Sequence, residues 1–189
     1  VARRARRDAL AAELLRAREA YPGQPALLAC RADWIDGREH PMNTPRERFL
    51  VSRRLRARAE AVGARQIRTS SFVAVLIDAR AIREEGLPVA EYFLWNDDFE
   101  YTARILRRRV GLYVDAARVE HRTKAFANST DFDPGPRFFH EVRNKVWAFT
   151  RSRAFNAVDK ATFGGATALR WARMIAGSPS RAERIDDLK

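Results

Sequence analysis

Apolar positions along this chain fall into short unbroken runs separated by stretches in which they recur every third or fourth residue. The first helical pattern occupies about residues 7–20 and leads into the run Ala26, Leu27, Leu28, Ala29 and Cys30, which predicts a strand. A second apolar run covers 72–77 and is followed by a short helical stretch, 78–85, and a turn at Gly86-Leu87-Pro88. From Asn96 onward Phe99, Ala103, Leu106 and Val110 repeat at helical spacing, which predicts a helix burying that stripe. Two short strands, 111–114 and 117–121, come next, the second ending on His121. The loop 128–136 has the composition of a turn, and beyond it Phe138, Phe139, Val142, Val146 and Phe149 mark one side of a further helix. Residues 155–175 are weakly amphipathic and interrupted at Phe163-Gly164-Gly165, which predicts two short helices. Residues 176–189 read as a frayed end.

One short segment carries an electrostatic cost. Asp97, Asp98 and Glu100 crowd the start of the helix that follows Phe93, Leu94 and Trp95. Neighbouring carboxylates repel, and a helix tolerates them best in its first turn, where free N–H groups and the positive end of the dipole offset them. Asn96 or Asp97 is the expected cap, and capping alone would account for acidic residues here. If the apolar stripe faces the core, Asp97 and Asp98 stand at a rim where a carboxylate can meet a substrate.

Taken together, Gly86-Leu87-Pro88, then Tyr92-Phe93-Leu94-Trp95 with Asp97, Asp98 and Glu100, then Arg104, then Val119-Glu120-His121, then Arg143-Asn144 resemble the C-terminal half of family 2 glycosyltransferases. The resemblance covers about residues 10–155 and is nearest to the bacterial galactofuranosyl- and rhamnosyltransferase-like branch. It implies an α/β fold, the C-terminal part of a GT-A (nucleotide-diphospho-sugar transferase) fold with a mixed sheet, followed by C-terminal helices. On that basis residues 1–135 form a partial catalytic domain on the acceptor side, 136–176 amphipathic helices and 177–189 a flexible tail. The implied activity is inverting transfer of a sugar from a nucleotide-sugar donor to a lipid-linked (polyprenyl-linked) or cell-wall glycan acceptor.

By the same resemblance Asp98 is the base that takes the acceptor hydroxyl proton, and Asp97 and Glu100 shape the site. Trp95, Trp34 and Arg104 are implied on the acceptor side, although Arg104 is also spaced for an i to i+4 ion pair with Glu100. His121 matches a metal-binding histidine that would hold Mg²⁺ or Mn²⁺ together with an Asp-x-Asp motif, stabilising the leaving diphosphate. That motif is expected upstream of the helix at 7–20, where this chain instead shows Arg3, Arg4, Arg6 and Arg7. The chain is therefore expected to be the C-terminal portion of an enzyme, inactive alone, with the nucleotide-binding strands outside it. A literal Asp131-Phe132-Asp133 reads as turn chemistry, as do Asp33 and Asp36 around Trp34.

Charge adds one alternative. With 36 Lys and Arg against 24 Asp and Glu the formal net charge is +12, so anionic partners are expected. The arginines are dispersed and no zinc-finger spacing, RNP-like aromatic pair or helix-turn-helix is evident, which argues against specific nucleic-acid recognition. An anionic membrane surface or a phosphorylated glycan fits better, and a non-catalytic basic module binding membranes or polyanions is the competing reading. The helix from residue 137 reads as packed on the catalytic domain, and the segment after it as the one to meet lipid. Cys30 is the only cysteine, which excludes a disulfide framework. These features suggest a cytoplasmic protein, peripheral on the inner face of the plasma membrane. Loss of the first strands of a sheet would bare an apolar face, so aggregation or partial melting of the isolated chain is expected.

Overall fold

The computed structural model describes residues 2–123, 126 and 133–188, with side chains from residue 7 onward. Its centre is a five-stranded sheet built from β1 (Leu27–Asp33), β2 (Arg46–Glu47), β3 (Ala64–Thr69), β4 (Val75–Ile77) and β5 (Gly111–Glu120), in the order β2-β3-β5-β1-β4. β1 and β5 run parallel, and the other three pairings are antiparallel, so the sheet is mixed.

The unbroken apolar character of β1 follows from its being covered on both sides. Leu28 and Cys30 face α1 (Ala2–Ala20) and α2 (Arg53–Glu60), where they meet Leu14, Ala17, Tyr21 and Ala59. Leu27 and Ala29 face the opposite way, toward Ala81 of α3 (Ala79–Glu85) and Tyr101 and Ile105 of α4 (Asp97–Ile105). The bare apolar face expected from the sequence is therefore not seen. At the edges of the sheet, β2 is two exposed charged residues, and β4 presents three half-buried aliphatics. A short charged edge resists pairing with another chain.

Several boundaries differ from those expected. Only 75–77 of the apolar run 72–77 is strand, because Phe72 leaves the sheet to set its ring edge-on to Tyr101. The two strands expected in 111–121 are one. Asp115 and Ala116, which look like a break, sit opposite a register jump between Cys30 and Arg31, so the irregularity is absorbed as a bulge. α4 ends at Ile105, with Leu106 as its cap and Val110 beyond it.

Outside α4 lies a second helical layer, α5 (Phe138–Thr150) and α6 (Ala157–Gly177). Phe99 of α4 stacks on Phe155 at 4.9 Å and meets Phe149 and Phe163 edge-on. α6 is one helix, not two. Gly164 and Gly165 weaken it by about 1 kcal/mol each relative to alanine, but an Asn156–Asp159 capping box starts it and packing of Phe163, Thr167 and Met174 holds it. α5 also splits the aromatic side read from sequence: Phe138 and Val142 are buried, while Phe139 and Val146 are exposed. The tail expected to fray forms α7 (Arg181–Asp186), docked through buried Arg184, which pairs with Asp187 at 2.7 Å and Asp133 at 3.5 Å.

A buried ion pair fastens α6 to the sheet. Arg68 of β3 is 2% exposed and reaches Asp159 at 2.8 Å, while also donating to the carbonyls of Ala103 and Ala154. Asp159 thus serves the helix cap and the sheet at once.

Candidate functional site

The acidic segment is positioned by a chain of backbone clamps. Gly86 ends α3 at φ 75°, a conformation glycine adopts without penalty. Its carbonyl accepts from the Tyr101 hydroxyl at 2.9 Å, and Arg104 donates to the carbonyls of Glu85 and Leu87. After a short 3₁₀ turn at Ala90–Tyr92 come three non-glycine residues with positive φ: Phe93 (55°), Trp95 (65°) and Asn96 (63°). Each such residue costs on the order of 1–3 kcal/mol unless its surroundings impose it.

Asn144 of α5 imposes it. Fully buried, its amide donates to the carbonyls of Tyr92, Leu94 and Trp95 at 2.7–2.8 Å. Arg143 holds the Asn144 carbonyl oxygen at 3.0 Å and itself donates to the carbonyls of Glu91 and Tyr92. The Arg143-Asn144 pair is the clamp that holds the 93–96 segment in its positive-φ shape ahead of α4.

The cap expected at Asn96 or Asp97 is not made by either side chain. Asn96 instead donates to Glu141 of α5 at 2.5 Å. Asp98 accepts from the N–H of Phe99 at 2.6 Å. Burial pushes its carboxyl up to about 6, and the adjacent Asp97 charge adds to the effect, while backbone N–H groups of Phe99 and Phe72 and the Lys145 ammonium work against it. Its side chain still opens on a cleft of about 480 Å³ between α4, α5, α6 and the segments before β2 and after β3. Ser70, Ser71, Asn96, Glu141, Lys145 and Arg170 supply the polar lining, and Phe49, Phe99 and Phe163 the aromatic one.

Lys145 is the residue sequence reasoning missed. It is 7% exposed, its ammonium lies 3.1 Å from the centre of the Phe99 ring, and burial pulls its pKa down to about 8. Glu141, one turn earlier, is buried between Asn96 and Arg170. The signal was present in the spacing: Glu141, Asn144 and Lys145 share the buried side of α5 with Phe138 and Val142. Polar residues on an inward face at helical period mark a cleft lining or a clamp, and here Glu141 and Lys145 line the cleft while Asn144 is the clamp.

The other residues singled out from sequence do not join Asp98. Glu100 and Arg104 form a buried i to i+4 pair at 3.1 Å, with Ser152 also donating to Glu100. They shape the 85–87 turn from the far side of α4, and Arg104 lines a separate pocket, not the cleft. Asp97 acts on Asp98 through its charge. Trp95 contributes its carbonyl to the Asn144 clamp and is not in the cleft wall. Trp34 sits at the end of β1, its indole N–H 3.5 Å from the Thr123 carbonyl and its ring against Phe126.

His121 follows β5 at the same end of the sheet. Its Nδ1 meets Asn43 at 2.7 Å, and Asn43 in turn donates to Ser71 of the cleft wall at 3.3 Å. Its ring is 5.5 Å from that of His40, a buried histidine whose pKa is lowered by burial and by His121. Among the described residues no group of three or more His, Cys, Asp or Glu side chains is arranged to hold a metal ion. His121 by itself does not make up a site for Mg²⁺ or Mn²⁺, which want several oxygen ligands. Asp131 and Phe132 lie outside the described residues. Asp133, in contrast, anchors the C-terminal helix, accepting from Gly135 N–H at 2.8 Å and from the Ser178 hydroxyl. Also among the described residues, no helix is long and apolar enough to cross a membrane.

Comparison with protein-family models, with curated proteins and with solved structures returns no match to this chain.

Proposed function

We propose that the cleft is the acceptor side of an inverting glycosyl transfer site in which Asp98 is the base. The observation that carries this reading is the state of Asp98: a carboxyl raised to about 6, open to a cavity and set at a helix start. Such a group is mostly ionised at neutral pH, yet binds a proton far more strongly than an ordinary carboxylate. A sugar hydroxyl seated against Asp98 gives up its proton as its oxygen bonds to the anomeric carbon of the donor. The electron pair of the breaking C–O bond leaves with the nucleoside diphosphate. Phe49 and Phe163 offer apolar surface on which a sugar ring can rest, with Ser70, Ser71 and Asn96 near its hydroxyls.

The test uses the product of the complete reading frame with a panel of nucleotide sugars and saccharide acceptors, with and without Mg²⁺ or Mn²⁺, following release of nucleoside diphosphate. Saturation-transfer NMR reports saccharide binding in parallel. Asp98→Asn is expected to lower kcat by roughly 10²–10⁴-fold with saccharide affinity nearly unchanged. Wild-type-like turnover in that variant, or no saccharide binding at all, would refute the proposal.

A second reading is favoured by the outer surface of α5 and α6, where Phe139, Val146, Val158 and Leu169 are exposed on a strongly basic chain. That surface suits peripheral contact with an anionic membrane. Sedimentation with phosphatidylglycerol vesicles, set against phosphatidylcholine vesicles, tests it through the Phe139→Ser and Leu169→Ser variants.

A further inference from the structure

The cleft holds a cation, Lys145, to which its own carboxylates make no hydrogen bond. Glu141 is committed on both oxygens, to Asn96 at 2.5 Å and to the Arg170 Nη2 at 3.1 Å. Asp98 is occupied by backbone N–H groups. Lys145 therefore has no hydrogen-bond acceptor among the described residues, only the face of Phe99, although it is more than nine-tenths buried and lines the cavity. Arg170 is in a similar position: its Nε is buried without an acceptor, and the residue lines the same cavity from α6. The two cations feel each other's field, along with that of Arg46, another lining residue.

A buried ammonium without an acceptor is an expensive state that a bound anion relieves. An anionic partner suits Lys145 best, because Arg170 and Arg46 act on it as like charges while the carboxylates that act the other way, Glu141 and Asp98, are hydrogen-bonded elsewhere. It must also offer several oxygens, since Lys145 has three donors to place and Arg170 lines the same cavity from a different helix. A phosphate group meets both demands. We propose that Lys145 and Arg170 form a phosphate-binding subsite of this cleft, beside Asp98. The proposal rests on the sugar-transfer reading only for which substrate carries the phosphate, a glycan or lipid-linked acceptor or the nucleotide-sugar donor.

Calorimetric titration with inorganic pyrophosphate at low salt is the direct experiment. Wild-type protein is expected to bind it, with affinity falling as salt rises and as pH passes above about 8, where Lys145 loses its proton. Lys145→Met and Arg170→Gln should each weaken binding at least tenfold, whereas Arg107→Gln, exposed and outside the cleft, should leave it unchanged. Equal binding by wild type and both cleft variants would assign the anion to the general arginine surface and overturn the proposal, as would no binding at all. Displacement by UDP places the phosphate on the donor, and displacement by geranyl phosphate places it on the acceptor. Displacement by neither reduces pyrophosphate to an adventitious ion and also overturns it. If binding follows Lys145 and Arg170 while Asp98→Asn leaves transfer intact, the sugar-transfer reading fails and the phosphate subsite stands.

Discussion

Replacing Asp98 by asparagine should make the protein more stable, by an amount that depends on pH in a defined way. The folded carboxyl titrates at about 6 against an ordinary value of 3.8. Between those two pH values the unfolded chain has released this proton and the folded chain still holds it. The contribution of Asp98 to folding stability must therefore fall as pH rises through that window, by about 1.4 kcal/mol per pH unit. Over roughly two units the loss is about 3 kcal/mol, and above pH 6 it is complete. Asparagine matches the protonated acid in shape and never ionises, so it escapes the loss. Urea unfolding of wild type and Asp98→Asn, followed by tryptophan fluorescence at pH 4, 5, 6, 7 and 8, should show similar stabilities at pH 4. The variant should then gain until its advantage levels at about 3 kcal/mol near pH 7, a large share of the 5–15 kcal/mol typical of a domain. A difference that does not change with pH, or a variant less stable than wild type at pH 7, would refute the account of Asp98 as a carboxylate held in its charged form against the preference of its surroundings.

Three further outcomes are expected. Asp159→Ala leaves Arg68 as an unpaired buried cation and should cost about 3–5 kcal/mol, read as a lower urea midpoint. Gly111→Ala sets a methyl 2.5 Å from Leu106 Cδ1 and 3.1 Å from Ile67 Cγ1. Overpacking of this kind costs about 1–3 kcal/mol, and a second change, Leu106→Val, should recover part of it in thermal melts. Asn144→Ala removes the amide that one buried and two part-buried carbonyls share, and should cost about 1–3 kcal/mol. Amide exchange across residues 93–98 should accelerate in that variant well beyond the rest of α4, and uniform acceleration would refute the clamp.

What the sequence revealed was set by how local each signal is. β1 and the helical stripe Phe99–Ala103 were legible because runs and periods within one element report its burial. The continuity of β5 through Asp115 was not legible, because the bulge that accommodates it is a property of its pairing with β1. α6 crosses Gly164-Gly165 because Arg68, 91 residues from Asp159, secures its first turn, which no window on the helix itself could reveal. At the site, the crowding of carboxylates pointed to Asp98, but Glu100 and Arg104 turned to the other side of α4, as the helical period directs. Lys145 and Glu141 went unnoticed because the aromatic residues of α5 drew the eye to a face that proved partly solvent-exposed.

The cleft wall takes residues from Met42 to Arg170, so the division of the chain into a catalytic part and trailing helices passes through the middle of the site. During synthesis the sheet and its covering helices α1 to α4 are complete once β5 has emerged, yet Lys145, Glu141 and Arg170 have still to be made. The cavity is closed by contacts between residues far apart in sequence, Asn96 with Glu141 and Arg68 with Asp159. Long-range closures form late, because the entropy of the intervening chain must be overcome first. The charges of Asp98 and Lys145 are thus expected to be confined late in folding, when enough of the sheet is in place to hold them.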